Sequence, residues 1–396
     1  MTRKQFLSPE TWRNPTTSEL TSFLEDRTEH NKPVGSIFGF EKILDPYFCY
    51  RYFYARFGPP NGMLTFLRKP NDSDNLYHWD WLIKAGDGDI YVVGAGRHVH
   101  VMTSLPRVGP KTWLAWGQNL KKSTGRHRVE IGRVSDLFEK WLVLPNRYAR
   151  LADVAAVHYE RLQSYAENLN NWPPKRSSER GLKAYQKFIQ RKAAEIDETY
   201  SAALSLDLIT PVLAEAYINL LIFICANEET RGSDRRMSSF IRQNVDLKVL
   251  DLHLRCRGFI EPVEEGSAEF KMFKRIMDRR NDIVHSNINP SRDAVETVYF
   301  DKFTPLFAEG VEELASYFKQ EEKLIDVSGV MQRYVELHSF FIYIRDRMES
   351  SYRTAFELVL ESATFGYDQK RNKTGVLFPN YVAAGMMPMR FGSDYV

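Results

Sequence analysis

The character of the chain changes near residue 145, and this change limits the fold classes open to it. Six of the seven tryptophans lie before that point, among short aromatic and alternating segments that are typical of strands. After it, apolar residues recur at helical spacing over long segments. A chain of 396 residues is long enough for two domains. We therefore predict an α+β protein, with a smaller N-terminal domain that contains an antiparallel sheet and a mainly α-helical C-terminal domain.

Turn-forming residues and charges are concentrated in residues 170–178, which makes that stretch the best candidate for a linker. The sequence then divides into four predicted regions. These are an α+β recognition or regulatory domain (1–145), a helix with the linker (146–176), a helical domain (177–365) and an extended C-terminal tail (366–396).

Turn residues place the strands of the N-terminal domain. Gly86-Asp87-Gly88-Asp89 lies between two apolar runs, 79–83 and 90–93, and predicts a β-hairpin. Val99 and Val101 alternate with two histidines and predict a further strand. Aromatic or apolar density predicts strand-like segments at 48–57 and 63–67, and helical spacing predicts helices at 18–27, 113–121 and 135–141.

The C-terminal half is predicted to be a series of helices. Thr210 followed by Pro211 is typical of a helix start, so we expect a separate apolar helix to begin there. Residues 228–236 are predicted to form a polar loop. The predicted helices are 148–169, 179–204, 212–226, 237–257, 267–286, 303–323 and 330–363.

Composition and charge narrow the classes of function. The net charge is only +3, so any nucleic-acid site must be a local basic patch. Three widely spaced cysteines form neither a disulfide framework nor a zinc pattern, which favours a reducing cytosol. The N-terminus lacks an apolar signal core, and the most apolar run, 218–226, is too short to span a bilayer. We expect a cytoplasmic protein. Gly94-Ala95-Gly96 lacks the third glycine of a dinucleotide loop, and no cofactor is predicted.

An arginine stands in the apolar face of the predicted helix 267–286. At about 100° per residue, Arg280 falls within one apolar stripe of this helix. A buried charge must be paired or used, so the helix is expected to do more than pack. Asn281 and His285 lie one turn apart on the adjoining flank. The stripe consists of Phe273, Ile276, Met277, Ile283 and Val284.

The stretch Arg280-Asn281-Asp282-Ile283-Val284-His285 resembles the R-N-x-x-x-H form of the R-x(4–6)-H motif of HEPN-domain proteins. Members of that family are compact bundles of four or five helices with the motif late in the bundle. An earlier apolar helix of the family often carries a Glu followed by an Asn, and Ala214-Glu215-Ala216-Tyr217-Ile218-Asn219-Leu220 is similar to that helix. The resemblance covers about residues 178–325.

The resemblance implies a metal-independent endoribonuclease that acts as a homodimer through its helical domain, with the motifs of two protomers in one cleft. Its partner is then RNA, and its biological role is that of a toxin or an antiviral-defence enzyme. The residues that match the family site are Arg280, Asn281 and His285, with Glu215 and Asp282 in support.

The chemistry of these side chains suits that reaction. Without a metal, the ribose 2′-OH must attack its own phosphate, with a proton-transfer group and a cation beside the reacting atoms. His285 suits proton transfer, and its place in the last helical turn favours the charged imidazole. Arg280 is suited to hold phosphate oxygens in a fork, and Asn281 to orient the imidazole or bind phosphate. Since Arg280 and His285 lie about 140° apart around an ideal helix, a second chain is expected to complete the site.

Two other interpretations remain open. In one, Arg280 pairs with Glu215 inside the bundle while His285 caps the helix, which describes a non-catalytic RNA- or protein-binding scaffold. A metal-dependent hydrolase centred on His98 and His100 is the third hypothesis. These histidines share one face of a strand, but no third ligand follows at convincing spacing.

Basic side chains outside the motif offer further RNA contacts. The densest basic run, 121–128, and the loop 228–236 are each either solvated surface or a grip on the RNA backbone, where neutralised phosphates would make affinity salt-dependent. A regulatory partner for the N-terminal domain is a further expectation. The basic residues concerned are Lys121, Lys122, Arg126, Arg128, Arg231, Arg235, Arg236 and Arg279.

Overall fold

The chain is a mixture of helices and antiparallel strands, as the predicted α+β class requires. It forms two compact units, Met1–Lys140 and Trp141–Val396. The predicted helix 148–169 therefore belongs to the C-terminal unit. The computed structural model describes residues 1–28, 35–40, 43–64, 77–168, 179–285, 297–307 and 325–378, and the single positions 288, 290 and 294. The predicted linker lies outside these residues.

Four strands form the sheet of the N-terminal unit: β1 (Ser36–Phe40), β2 (Tyr77–Ala85), β3 (Gly88–Ala95) and β4 (His98–Thr103). All neighbours are antiparallel and the order is β1-β4-β3-β2. The hairpin predicted around residues 86–89 is confirmed, and Gly86 adopts the positive φ of 62° that its turn requires. The helices of this unit are α1 (Arg3–Phe6), α2 (Thr17–Thr28), α3 (Pro46–Phe57), α4 (Pro110–Ser123) and α5 (Arg128–Asp136).

The strand-like prediction for residues 48–57 is wrong, because this aromatic run is helix α3. The Asp45 carboxylate caps the helix by accepting from the Phe48 N–H at 2.7 Å, and Pro46 fits its first turn. Its buried side chains recur at helical spacing, at Cys49, Tyr52, Phe53 and Phe57. High aromatic density thus obscured a helical period.

Two other N-terminal predictions also change. The helix expected at 135–141 lies earlier, at Arg128–Asp136, and residues 142–145 form a strand. Of the run 63–67, residues 63 and 64 are helical, and 65–67 lie outside the described residues. The helix at 113–121 is confirmed, and its Trp113 and Trp116 are buried in the core of the unit.

Helices make up most of the C-terminal unit: α6 (Arg147–Asn168), α7 (Glu179–Cys225), α8 (Glu228–Arg231), α9 (Asp234–Arg242), α10 (Val245–Arg255), α11 (Ala268–Val284), α12 (Val327–Arg345) and α13 (Ser350–Leu360). Helix α7 packs against α6, α10, α11, α12 and α13 and so forms the centre of the unit. The strands β5 (Leu142–Pro145), β8 (Thr364–Asp368) and β9 (Lys373–Gly375) form one antiparallel sheet, and β6 (Val298–Asp301) and β7 (Thr304–Phe307) form a separate hairpin.

The central helix α7 is continuous for 47 residues, so the predicted break at Thr210 and Pro211 is wrong. The Thr210 hydroxyl does not cap a new helix but donates to the Leu206 carbonyl at 2.6 Å. A proline inside a helix costs about 3 kcal/mol. Leu206 and Leu213 are fully buried on either side of it, and each such burial contributes roughly 1.5–3 kcal/mol. Packing therefore offsets the lost hydrogen bond.

Five further C-terminal predictions differ from the structure. The loop 228–236 contains α8 and the start of α9, each with a side-chain N-cap, and the helix 237–257 is broken between α9 and α10. The helix 330–363 is broken where the Glu349 N–H donates to the Gly258 carbonyl at 2.7 Å. Residues 303–307 are hairpin rather than helix, and 308–323 lie outside the described residues. The tail begins as β8 and β9, and 379–396 are likewise outside.

Helix α7 also bears on the expectation about membranes. Within the described residues, Gly181–Cys225 is long and apolar enough to cross a membrane by length and composition. Of its most apolar window, 56% is buried inside the unit. This burial is what the central helix of a bundle needs, so length and composition alone do not indicate a membrane span.

One buried side chain joins the start of α6 to the end of α13. The Asn146 amide Nδ2 donates to the carbonyls of Val359, Leu360 and Ser362 at 2.9–3.1 Å. Its Oδ1 accepts from the Ala149 N–H at 3.2 Å, in the first turn of α6. With no exposed surface, Asn146 thus satisfies backbone groups that helix ends leave unpaired.

Replacing this asparagine should destabilise the protein. Asn146→Ala removes the partner of several buried backbone groups, so we expect a loss of about 2–4 kcal/mol in the free energy of unfolding. Urea unfolding followed by circular dichroism measures it. The control is Asn244→Ala, because Asn244 precedes α10 without a side-chain capping bond. Equal midpoints for the two variants would contradict the role of Asn146.

Buried His338 predicts a loss of stability in acid. Burial is the main cause that lowers its pKa from 6.5 to about 4, and its Nε2 has no hydrogen-bond partner within the described residues. The unfolded chain therefore takes up a proton first as the pH falls. The stability contributed by neutral His338 is complete above pH 6.5 and is lost towards pH 4, by roughly 3 kcal/mol.

The measurement is the urea unfolding midpoint as a function of pH. His338→Phe should flatten the decline between pH 6.5 and 4, whereas His253→Phe, at an exposed position of α10, should leave the profile unchanged. A His338→Phe profile parallel to that of the wild type would refute the assignment.

Candidate active site

Helix α11 carries the motif to the edge of the core. It begins at Ala268, with the Ser267 hydroxyl capping the Phe270 N–H at 3.2 Å, as the predicted helix 267–286 required. Its first turns are buried, at Phe270, Phe273, Ile276 and Met277. The apolar stripe extends beyond the core at the end of the helix, where Val284 is 59% exposed. Arg280 therefore lies where the apolar face of α11 meets the surface, rather than deep inside it.

Arg280 forms an ion pair with Glu215 of helix α7. The guanidinium Nη1 donates to the carboxylate Oε1 at 2.6 Å. The two side chains remain 37% and 34% exposed. The Arg280–Glu215 pairing expected in the scaffold interpretation is present, and the pair fixes the direction of the guanidinium while part of it faces solvent.

The preceding arginine is anchored to α7 as well. Arg279 donates from Nε to the Asp207 carboxylate at 3.4 Å, and Arg333 of α12 holds the same carboxylate at 2.8 and 3.1 Å. Asp207 is 8% exposed and lies two helical turns before Glu215. Arg279 is one of the predicted RNA contacts. The structure places its guanidinium in this three-helix ion cluster.

A buried lysine extends the polar group around Glu215. Lys248 of α10 is 5% exposed and donates from Nζ to the Asn219 side-chain oxygen at 3.1 Å. Burial lowers the pKa of Lys248, and the nearby Glu215 charge partly opposes that shift. Asn219 lies one turn after Glu215, so α7 presents both acceptors on neighbouring turns.

Lys248 was not among the site residues predicted from the sequence, although its position in a helix could have identified it. Lys248 falls among Val245, Val249 and Leu252, which share one face of α10 by their helical spacing. A cation inside an apolar stripe must be paired or used, and this holds for Lys248 as it does for Arg280. Asp207 and Arg333 carried no such signal, because each pairs across helices that are distant in sequence.

The remaining motif residues lie at the end of α11. His285 is the C-cap residue, and its backbone N–H donates to the Asn281 carbonyl at 3.0 Å. Asn281 and His285 are exposed, and Asp282 is half-buried. Within the described residues, no hydrogen bond or ion pair joins the His285 imidazole to Arg280 or Glu215. Arg280 is thus directed at α7, whereas His285 lies at the exposed end of α11.

The basic residues of the predicted loop 228–236 have different surroundings. Arg231 donates to the carbonyls of Phe223, Ile224 and Ala226 and so caps the end of α7. Arg236 pairs with Glu229 at 2.7 Å on the surface. Arg235 is exposed on α9. The guanidinium of Arg231 is thus hydrogen-bonded within the protein, whereas Arg235 is exposed to solvent.

The second predicted basic group belongs to the N-terminal unit. Lys121 and Lys122 are exposed in the last turn of α4, and Arg128 is exposed at the start of α5. Arg126 is 68% exposed and pairs with Glu10 at 2.9 Å. The charge of Arg126 is thus partly neutralised by Glu10.

The histidines of the third hypothesis lie on strand β4. His98 is exposed and His100 is half-buried, with their ring centroids 6.5 Å apart. Among the described residues, no group of three or more histidine, cysteine or acidic side chains is placed to hold a metal ion. The cysteines Cys49, Cys225 and Cys256 are buried and free, and burial raises the pKa of each thiol.

Comparison with known proteins gives no match for this chain among family models, curated proteins or solved structures. A functional proposal for this chain therefore depends on the sequence motif and on the geometry around Arg280.

Proposed function

We propose that the protein is a metal-independent endoribonuclease of HEPN type, which cleaves single-stranded RNA through attack of the ribose 2′-OH and serves as a toxin or in antiviral defence. The observation that carries this proposal is the placement of Arg280. Its guanidinium is fixed by Glu215 at 2.6 Å yet is 37% exposed, and an exposed histidine ends the same helix.

The roles of the residues follow from their chemistry. The Arg280 guanidinium can hold phosphate oxygens in a fork and stabilises the negative charge that develops on the phosphate. His285 is exposed, so its imidazole can approach a bound ribose and transfer the proton of the 2′-OH. Asn281 is exposed one turn before it and binds phosphate or orients the imidazole. Asp282 and Glu215 support the site.

Glu215 has a second role in this proposal. It holds Arg280 in place before RNA arrives, which reduces the entropy lost when the guanidinium binds phosphate. The Lys248–Asn219 contact at 3.1 Å fixes the adjacent turn of α7. The cation is thereby positioned by helices rather than by a loop.

A second chain completes the proposed site. Arg280 is directed at α7, whereas His285 lies at the exposed end of α11. A two-fold homodimer through the helical unit lets Arg280 of one protomer act with His285 of its partner. Symmetry then produces two such sites in each dimer.

The N-terminal unit is proposed to recognise RNA or to regulate the enzyme through a partner. Lys121, Lys122 and Arg128 are exposed together with the partly paired Arg126. Contacts of such side chains with phosphates would add a salt-dependent term to RNA affinity.

The Arg280–Glu215 pair also favours a second candidate function. A satisfied ion pair gives Arg280 a structural role without any substrate. The alternative is therefore a non-catalytic HEPN-like scaffold that binds RNA or protein through the same helical unit.

The two candidates differ in the effect of single substitutions. His285→Ala should lower the rate of RNA cleavage by about 10²–10⁴-fold, the usual contribution of a proton-transfer group. Arg280→Ala should lower it by about 10²–10³-fold through loss of charge stabilisation. The assay uses single-stranded RNA with EDTA present, and RNA with a 2′-deoxy sugar at the scissile position should not be cut.

The matched controls are His253→Ala and Arg242→Ala, which remove an exposed histidine and an exposed arginine on neighbouring helices. Both should cut RNA at the wild-type rate. A wild-type protein that leaves RNA intact, or motif variants as active as the controls, would favour the scaffold.

Mixing two inactive variants tests whether the site is shared between chains. Chains carrying Arg280→Ala and chains carrying His285→Ala should form mixed dimers in which one of the two sites is intact. After unfolding and refolding together in equal amounts, the mixture should regain about a quarter of the wild-type activity, because half of the dimers are mixed and each has one working site. A mixture as inactive as its components would place both residues in a single-chain site.

A further inference from the structure

The hairpin β6–β7 has one entirely apolar face. Cross-strand neighbours are Val298 with Phe307, Tyr299 with Leu306, Phe300 with Pro305 and Asp301 with Thr304. Since successive side chains of a strand alternate between faces, one face carries Val298, Phe300, Pro305 and Phe307. The opposite face carries Tyr299, Asp301, Thr304 and Leu306.

The apolar face is open to solvent. Phe300 is 66% exposed and Phe307 is 62% exposed, and Phe303 at the tip is 97% exposed. Within the described residues, β6 and β7 pair only with each other. An isolated two-stranded hairpin is at best marginally stable in water, so a hairpin of this composition needs a surface that covers it.

The net charge of the hairpin argues against RNA as the molecule that covers its apolar face. Single-stranded RNA sites combine stacking aromatics with cations that contact the backbone. The hairpin has one cation, Lys302, directly beside the acidic Asp301. Its net charge is zero, and it offers no excess positive charge to phosphates or to anionic lipid headgroups. A protein surface without excess charge fits it better.

A second copy of this chain fits that description. Two neutral hairpins do not repel each other, and an antiparallel hairpin is compatible with a two-fold axis, on which the same surface meets itself. An aromatic side chain offers about 150–250 Å², so Phe300 and Phe307 together present roughly 200–300 Å² on this face. This is about a quarter to two-fifths of the roughly 800 Å² that each partner buries in a standard interface. The helical unit would supply the rest.

We infer that the hairpin is a self-association arm, which packs its Val298, Phe300, Pro305 and Phe307 face on the same face of a second copy. The inference rests on the proposed function only in that the shared active site requires a dimer. The arm itself is independent of RNA cleavage.

The test compares two double variants of the full chain. Phe300→Ser with Phe307→Ser removes the apolar face, and Tyr299→Ser with Leu306→Ser changes the opposite face at positions of similar exposure. Sedimentation equilibrium at micromolar concentration without RNA gives the mass. The wild type and the opposite-face variant should have twice the mass of one chain, and the apolar-face variant should have the mass of one chain. Far-UV circular dichroism confirms that helix content is retained.

Several outcomes would overturn the inference. They are a monomeric wild type, a dimer that survives loss of the apolar face, and equal dissociation of both variants. A hairpin that instead serves RNA or lipid would show as weaker binding of the apolar-face variant to labelled single-stranded RNA or to phosphatidylserine vesicles, without a change in mass. A wild-type dimer that leaves RNA intact would refute the proposed ribonuclease and leave the arm standing. A monomer that cuts RNA would refute the arm and the shared site, and would leave the ribonuclease activity standing.

Discussion

Helix α7 must bury apolar side chains over about half of its circumference, and this requirement shapes the whole C-terminal unit. Leu213, Tyr217, Ile218 and Ile222 are all fully buried, and at about 100° per residue they span roughly 180° around the helix. Among the described residues, five helices pack around α7 and cover these side chains. The polar side chains of α7 include Asp207, Glu215 and Asn219. Each of them contacts a basic side chain of a neighbouring helix.

Cations from the surrounding helices contact these side chains. Arg279 and Arg280 of α11 reach Asp207 and Glu215, and Lys248 of α10 reaches Asn219. The half-exposed Arg280–Glu215 pair adds little stability, typically about 0–1 kcal/mol. Its value lies in orientation, because it ties one side of α11 to α7. The end of α11, with His285, is directed to the surface as a result.

The sequence predicted local features well where one residue type determined the geometry. The hairpin at Gly86 and the helix that opens at about Ser267 could be inferred from residue types and spacing, and the resemblance to the HEPN family pointed to Glu215 as a partner for Arg280. Predictions failed where packing between distant segments decided the outcome. Pro211 remains inside α7 because the leucines around it are buried, and the aromatics of 48–57 form a helix because Asp45 and Pro46 start one. Lys248 was recognisable as a cation in an apolar stripe, but its partner Asn219 lies on a helix that only the fold brings next to it.

The depth of a cation in the bundle decides whether its donors remain accessible to a ligand. Lys248 is 5% exposed and Arg231 donates to three carbonyls, so a substrate would have to displace existing contacts to use either. Arg280 is different, because its contact with Glu215 occupies one edge of a planar group with five donors. A phosphate can approach the exposed edge while Glu215 keeps its hold. The same carboxylate opposes the lowering of the Lys248 pKa by burial, so loss of Glu215 would affect both cations. Glu215→Gln, which keeps the shape and removes the charge, would therefore loosen Arg280 and favour the neutral form of Lys248.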